Sequence, residues 1–189
     1  DAYGCGINKV AKNLSQAGCN IFFVAKLSEG LELRKQIPKS KMIAIFDGYL
    51  DQDKKLWNQF NLTPVCNTLE QVISASNDKI DYMIHIDTGM NRLGLSVKDA
   101  HKLLKNHSKI NHHHLRLILS HFVCSDNKKS KLNCEQITTF NEFNNYLPQI
   151  KRSLSNSHGI FLGDQARFHL SRPGIGLYGY TNSKDHNLR

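Results

Sequence analysis

The sequence has no long hydrophobic run and little proline, and its first residues do not have the pattern of a secretory signal. No stretch approaches about 18 consecutive apolar residues, so the sequence predicts no membrane-spanning helix. Four prolines in 189 residues, without repeats or low-complexity linkers, exclude a collagen-like fibre or a disordered tail. The chain opens with Asp1 and has neither an initiator Met nor a secretory signal, so we expect either that a segment was removed or that this is a piece of a longer protein.

Cysteine is sparse and irregularly spaced. The chain contains Cys5, Cys19, Cys66, Cys124 and Cys134. Their number is odd and no two of them form a CxxC pair. This usage indicates reduced thiols in a cytoplasmic protein and favours neither a disulfide framework nor a zinc site.

Acidic residues are the minority, since 16 Asp and Glu stand against 25 Lys and Arg, which gives a net charge of +9. An excess of positive charge can indicate binding to nucleic acid. Here the basic residues are scattered and build no basic helix or aromatic-basic stripe. We therefore expect no nucleic-acid partner, and we interpret the charge as that of an ordinary folded protein with 40% hydrophobic residues.

What the sequence does contain is an alternation of short β-branched or aromatic runs with amphipathic stretches. The predicted strands are Ile21–Ala25, Met42–Phe46, Thr63–Cys66, Tyr82–Asp87, Leu115–Phe122, Ser153–Asn156 and Phe168–Ser171. Such alternation predicts a parallel sheet covered by helices. A chain that starts with a helix and has seven strands fits a (β/α)8 TIM-type barrel without its first strand, and an open doubly wound sheet is the alternative.

Helix boundaries are indicated by capping residues. Three pairs have the spacing of a capping box, and they are Thr68 with Gln71, Ser96 with Asp99, and Asn133 with Gln136. A glycine, Gly18, predicts a left-handed end to the first helix.

Three cationic or titratable side chains follow predicted strands, where parallel α/β folds place their sites. They are Arg92, His121 and Arg172. If they converge, they form a cationic pocket suited to a planar ligand, because arginine offers fixed donors and histidine can stack. Taken singly, each is also explained as a surface arginine or a hydrogen-bonded core histidine.

A second cluster predicts an anion site. The hydroxyl of Ser157 and the backbone N–H groups at Gly174 and Ile175 would form a concave cradle for a phosphate. An ordinary turn is the alternative explanation. Together the two clusters indicate an α/β protein that binds a planar ligand bearing a phosphate.

Six segments carry a family resemblance. They are DAYGCG at 1–6, FFVAKLSEGLELR at 22–34, HIDTGMNRLG at 85–94, SHFVCSD at 120–126, NSHGI at 156–160 and RPGIGLYGY at 172–180. In this order and spacing they resemble the alanine racemases. The resemblance implies a pyridoxal 5'-phosphate-binding barrel domain over residues 1–180, lacking its first strand, and a linker at 181–189 toward an absent C-terminal β-domain.

The same resemblance assigns residues to the cofactor phosphate. By position, Tyr3 matches a tyrosine whose hydroxyl reaches the phosphate. Ser157 and the backbone of Gly174 and Ile175 match the phosphate cradle, and Asn156 lines it.

The resemblance also assigns residues to the cofactor ring. Arg172 matches the arginine that faces the pyridine nitrogen, and His121 matches the histidine packed against the ring and bonded to that arginine. Arg92 matches the arginine that contacts the ring hydroxyl. Arg92 and His121 are thus expected to support catalysis, and no metal is expected.

The two bases of the family mechanism are not expected in this sequence. The Schiff-base lysine belongs two residues before Asp1, and the second base, a tyrosine of a partner subunit, belongs beyond Arg189. The resemblance implies interconversion of L- and D-alanine for peptidoglycan by a cytoplasmic homodimer, with little activity in this chain alone. The alternatives are a non-catalytic carrier of pyridoxal phosphate and a degenerate, inactive racemase.

Two positions depart from the family pattern. His85 stands where many members have a lysine, often carbamylated, that orients the arginine matched by Arg92. Cys5 stands where a histidine is usual.

The tract His112–His114 predicts no metal site, because adjacent histidines point in different directions.

Overall fold

The computed structural model of this protein describes residues 1–106 and 110–180. The described backbone divides into two units. The first contains residues 1–83 and 110–115, and the second contains residues 84–106 and 116–180. The predicted linker at 181–189 lies outside the described residues. No helix in the described ranges is long and apolar enough to cross a membrane.

Strands and helices alternate along the described chain as the sequence predicts. The strands are Ile21–Val24 (β1), Met42–Ile45 (β2), Leu62–Cys66 (β3), Tyr82–Asp87 (β4), Leu95–Ser96 (β5), Leu115–Leu119 (β6) and Arg152–Ser153 (β7). The α-helices are Ile7–Gln16 (α1), Leu27–Arg34 (α2), Lys54–Phe60 (α3), Leu69–Asn77 (α4), Val97–Lys105 (α5), Lys131–Glu142 (α6) and Asp164–Arg167 (α7).

The first unit is built on a parallel sheet with strand order β1-β2-β3. Phe22 pairs with Ile43, and Ile43 in turn pairs with Leu62. Every residue of β3 is buried, as expected for a parallel strand that is covered on both faces. These runs are apolar throughout, so the sequence identifies them readily.

The second unit contains the parallel pairs β4–β5 and β6–β7. In the second pair, Ile118 lies opposite Arg152, and Ser120 N donates to Ser153 O at 3.0 Å just beyond the end of β6. Parallel strands place their carboxyl ends on one edge of a sheet. The segments that follow β6 and β7 therefore begin side by side at the same edge of the sheet.

The predicted strands differ from the structure at four places. The strand predicted over Leu115–Phe122 ends at Leu119, and the one predicted over Ser153–Asn156 is Arg152–Ser153. Phe168–Ser171 is not a strand, because Phe168 has a φ of +54°, which a continuous strand does not accommodate. The segment is nevertheless tied to β7, since His169 N donates to Arg152 O at 3.0 Å. The short strand β5 was not predicted, because two residues carry no periodicity.

Two of the three predicted N-caps are confirmed, but neither is a reciprocal capping box, because Gln71 Oε1 accepts from Asn67 N and Asp99 Oδ2 accepts from Ser96 Oγ. Thr68 Oγ1 accepts from Gln71 N at 3.3 Å, and Ser96 Oγ accepts from Asp99 N at 3.1 Å. The third is wrong, because α6 begins at Lys131 and places both Asn133 and Gln136 inside the helix, where they are buried. The left-handed end of α1 at Gly18 is also confirmed, with a φ of +99°.

Arg34 is a buried cation of the first unit that is fully engaged by the backbone. Its guanidinium donates to the carbonyls of Phe60, Pro38, Lys41 and Asn61 at 2.6–2.9 Å. Carbonyl oxygens disperse the charge without a carboxylate partner. The side chain ties the end of α2 to the turns before β2 and β3.

Arg152 is the contrasting case in the second unit. The residue is 7% exposed, and its Nε and Nη1 have no hydrogen-bond partner among the residues that the structure describes. The guanidinium carbon lies 5.1 Å from the ring centroid of Phe168. Arg152 N donates to His169 Nδ1 at 3.1 Å, which places the side chain of residue 169 beside the backbone of the arginine. Burying a charge without a hydrogen-bonded counter-charge is costly.

The substitution His169→Asp is expected to stabilise the protein, because its carboxylate can still accept from Arg152 N and adds a negative charge to the surroundings of this buried guanidinium. A gain of about 1 kcal/mol corresponds to roughly 2–4 °C in the unfolding temperature of a chain of this length. Thermal unfolding followed by circular dichroism measures it. His113→Asp, at an exposed histidine, is the control for simple reduction of the positive charge. An equal rise in both variants would contradict the explanation.

Candidate functional site

The second unit brings together most of the side chains that the sequence singled out. His85 lies in β4, His121 follows β6, Ser157 follows β7, and Arg172 lies in the segment hydrogen-bonded to the end of β7. Arg172 N donates to Ser155 O at 2.9 Å, which fixes the start of that segment. The candidate site therefore rests on the carboxyl ends of β6 and β7.

Arg172 is the centre of this cluster. Its Nη1 donates to Ser153 Oγ and its Nη2 donates to Ser120 O, while Nη2 lies 3.5 Å from His121 Nδ1. Although the residue as a whole is only half-buried, its guanidinium is desolvated. Burial lowers the pKa of Arg172 to about 10, so the side chain stays cationic at neutral pH.

The two histidines of the cluster are neutral at physiological pH. Burial, followed by the charge of Arg172, lowers the pKa of His85 to about 3 and that of His121 to about 4. Arg92 lowers both values further, and the Asp87 carboxylate works against this at His85. Because Arg172 donates toward His121 Nδ1, the geometry places the ring proton of His121 on Nε2.

The residues of the predicted anion cradle lie together in a hydrogen-bonded turn, and their binding of an anion stays a prediction. Ser157 is 8% exposed, and its Oγ accepts from Gly174 N at 2.9 Å and from Gly176 N at 3.0 Å. A Cβ at Gly176 would lie 3.1 Å from Ser157 Oγ, so the backbone approaches the hydroxyl as closely as a glycine allows. Ile175 begins the 3-10 turn Ile175–Tyr178 that follows. Ser157 keeps its own O–H as a donor for an anion.

Asn156 takes part in a local turn. Its Oδ1 accepts from Ser125 Oγ at 2.7 Å and from Gly159 N at 2.9 Å. Gly159 packs closely, since a Cβ there would lie 2.8 Å from the ring of Phe122. The amide oxygen thus holds the segment after β7 in place, and contact between Asn156 and a ligand stays a prediction.

Arg92 lies in an exposed loop after β4. The loop is shaped by Asp87, whose Oδ1 accepts from Gly89 N at 2.9 Å and from Met90 N at 2.8 Å. Gly94 has a φ of +112°, and a Cβ there would lie 2.9 Å from Asp87 N, so only glycine fits where the loop comes back against β4. Arg92 acts on the cluster through its charge.

Tyr3 belongs to the first unit and is described by itself. It is 67% exposed and lies in the 3-10 turn Ala2–Gly4 with a φ of +56°. Its role at the phosphate stays a prediction.

Sequence reasoning missed the polar side chains that hold the site together. Ser153 accepts from Arg172, the hydroxyls of Ser120 and Thr88 lie 2.7 Å apart, and Gln136 Nε2 donates to Thr88 Oγ1 at 3.1 Å. Serine and threonine are too common for their pattern to indicate such contacts. The one available signal in the sequence was that Thr88 and Ser120 directly follow buried strands.

A cavity of about 560 Å³ lies beside this network. Its lining residues are Asp87, Thr88, Gly89, Asn91, Gly94, Ser96, Val97, Thr139 and Glu142. It shares Thr88 with the network and includes none of the residues predicted to bind a cofactor. Within residues 1–106 and 110–180, no group of three His, Cys, Asp or Glu side chains is arranged to hold a metal ion.

Comparison with known proteins identifies the family. Residues 1–182 match the family model described as "Alanine racemase, N-terminal domain". The chain belongs to this family. An alanine racemase of Rickettsia bellii is 36% identical over 185 residues, which are 95% of this chain and 45% of the relative. One of Rickettsia akari is 37% identical over 95% of this chain and 52% of the relative.

Solved structures agree with this assignment. The alanine racemase of Bartonella henselae with covalently bound pyridoxal phosphate has a TM-score of 0.87 at 36% identity, covering 98% of this chain and 56% of that one. The biosynthetic alanine racemase of Pseudomonas aeruginosa has a TM-score of 0.79 at 29% identity, covering 98% and 52%. The expected fold, an incomplete racemase barrel, is confirmed. The chain spans about half the length of these relatives.

Arg172→Met is expected to raise the pKa of both His85 and His121, because it removes a positive charge that opposes their protonation. Burial persists, so both values should stay below the ordinary 6.5. Titration of the histidine ring signals by NMR between pH 3 and 7 measures the shifts. Arg172→Lys retains the charge and should leave both pKa values low; unchanged values in Arg172→Met would exclude this electrostatic coupling.

Proposed function

We propose that residues 1–180 form the cofactor-binding barrel domain of an alanine racemase that uses pyridoxal 5'-phosphate, with residues 181–189 leading to a further domain. The observation that carries the proposal is the placement of a desolvated cation, a neutral histidine and a serine–glycine cradle at the ends of two neighbouring strands. These groups suit a ligand that combines a flat ring with a phosphate.

The residues present fit the phosphate of this cofactor. Ser157 Oγ already accepts two backbone N–H groups, so its hydroxyl proton is directed toward other acceptors. A side chain at Gly176 would crowd this hydroxyl. In the proposed function the Ser157 hydroxyl and the backbone at Ile175 hold the phosphate, Gly174 N supports the hydroxyl to which it donates, and Asn156 lines the cradle. The Tyr3 hydroxyl is assigned to the phosphate by family resemblance alone.

The ring would meet Arg172, His121 and Arg92. When bound, pyridoxal phosphate withdraws electrons from the substrate Cα and so acidifies its proton. Arg172 donates hydrogen bonds and keeps its own proton at neutral pH, so it does not protonate a ring nitrogen. Neutral His121 accepts from Arg172 and presents its ring. Arg92 adds positive charge from the loop after β4.

For the whole protein we propose a homodimer that interconverts L- and D-alanine in the cytoplasm, where the D-isomer supplies peptidoglycan. The free state of all five cysteines supports a reducing compartment. Proton transfer at Cα requires two bases on opposite faces. By family resemblance these are a lysine and a partner tyrosine, which belong outside residues 1–189, so this chain alone is expected to be nearly inactive.

The decisive experiment is proton exchange during turnover of the complete protein. Incubation with pyridoxal phosphate and L-alanine in D2O should yield D-alanine and α-deuterated alanine, measured by chiral chromatography and NMR. Cofactor binding without exchange would replace the proposal with that of a pyridoxal phosphate carrier. Failure of both would indicate a degenerate racemase.

Ser157→Ala is expected to weaken binding of pyridoxal phosphate by roughly tenfold and to leave binding of pyridoxal unchanged, because only the former has a phosphate to lose a hydrogen bond. Fluorescence titration of this chain with each compound measures the ratio. Ser155→Ala is the matched control, since Ser155 Oγ makes one buried bond, to Ala166 O at 2.7 Å, away from the cradle. Equal loss for the two ligands, or an equal effect of both variants, would contradict the cradle assignment.

A further inference from the structure

Gln136 lies in the middle of α6, where its side chain is buried, and not at the start of the helix as the capping prediction required. It is 1% exposed. Its Nε2 donates to His121 O at 2.9 Å and to Thr88 Oγ1 at 3.1 Å, and its Oε1 accepts from Val123 N at 3.0 Å. All three polar positions of the amide are therefore directed at the ends of β4 and β6.

These bonds replace a strand partner. Strand β6 ends at Leu119, and its last ladder bond is the one from Ser120 N to Ser153 O. The chain then continues through His121 and Val123 without a neighbouring strand. These backbone groups are partly shielded from water by the buried Gln136 side chain, whose amide supplies a donor to His121 O and an acceptor to Val123 N. The side chain thus acts as an extra peptide group beside the end of β6.

The segment held in this way is the one that meets Arg172. Ser120 O accepts from Arg172 Nη2, and His121 Nδ1 lies 3.5 Å from the same nitrogen. Gln136 also donates a second hydrogen bond, to the Thr88 hydroxyl. This hydroxyl lies 2.7 Å from Ser120 Oγ, so Gln136 is connected to Ser120 through Thr88 as well. Residues 120 and 121 are therefore fixed from both sides by one amide.

We propose that Gln136 is a positioning residue of the candidate site, which sets the distance between the His121 ring and the Arg172 guanidinium by holding the backbone after β6. Its role toward a bound cofactor rests on the proposed function. Its effect on Arg172 and His121 does not, because those contacts are made between residues of this chain.

The test compares Gln136→Met with Gln71→Met in the full chain. Gln71 is a matched control, because its Oε1 also accepts from a partly buried backbone N–H, that of Asn67, at 2.7 Å. It lies on α4 in the first unit. Both variants should lower the unfolding temperature, by roughly 4–8 °C. Only Gln136→Met should displace the NMR signals of the His121 ring and the Arg172 side chain and raise the pKa of His121.

Gln136→Glu removes the donor of the side-chain amide and keeps an acceptor. It keeps an acceptor for Val123 N but, when ionised, has no donor for His121 O or Thr88. The Val123 amide signal should therefore stay in place while the His121 ring signals move. Unchanged His121 and Arg172 signals in Gln136→Met, or equal displacement in Gln71→Met, would overturn the proposal.

A ligand arm separates this inference from the proposed function. Gln136→Met is expected to weaken pyridoxal phosphate binding by about tenfold relative to Gln71→Met. If the unmodified chain binds no pyridoxal phosphate, the proposed function fails, and the signals measured without ligand still decide the role of Gln136. If the ligand binds with equal affinity to both variants, the positioning role toward the cofactor is refuted.

Discussion

The desolvated guanidinium of Arg172 is the constraint on which the candidate site depends. A cation removed from water must be surrounded by acceptors, and here a hydroxyl and a backbone carbonyl serve, from Ser153 and Ser120. Both acceptors lie at the ends of parallel strands, so the sheet itself orients the charge. Both of these acceptors are uncharged, and the positive charge of Arg172 acts on the neighbouring histidines His85 and His121.

That field determines the protonation of its neighbours. His121 and His85 are buried enough to disfavour charge, and the nearby cation reinforces this, so both are neutral where an exposed histidine would be partly protonated. A neutral His121 can accept from Arg172, whereas a protonated one would repel it. The neutral state and the close approach of these two side chains therefore depend on each other.

The sequence predicts the parts of this arrangement that depend on local pattern. Strands β1 to β4 are found within a residue or two, because apolar residues such as Ile43 and Ile45 are fully buried and leave an unbroken hydrophobic run. Ser157 was located after the predicted strand Ser153–Asn156, and Arg172 after Phe168–Ser171, which is not a strand but is hydrogen-bonded to β7. The pattern failed at Gln136, since the spacing of a capping box is also the spacing of two residues on one helix face. Only the start of α6 at Lys131 decides between the two, and Asn133 gave a false signal for it.

His85 is the position at which this cluster departs from the family resemblance. A carbamylated lysine at this position would carry negative charge, whereas a neutral imidazole contributes only a dipole. The Asp87 carboxylate is the nearest anion that acts on His85, and its Oδ1 is committed to the amides of Gly89 and Met90. Arg172 and Arg92 thus impose a positive potential that this histidine does not offset. An anionic ligand would relieve it, which explains why a phosphate-bearing cofactor suits the site even with histidine at position 85.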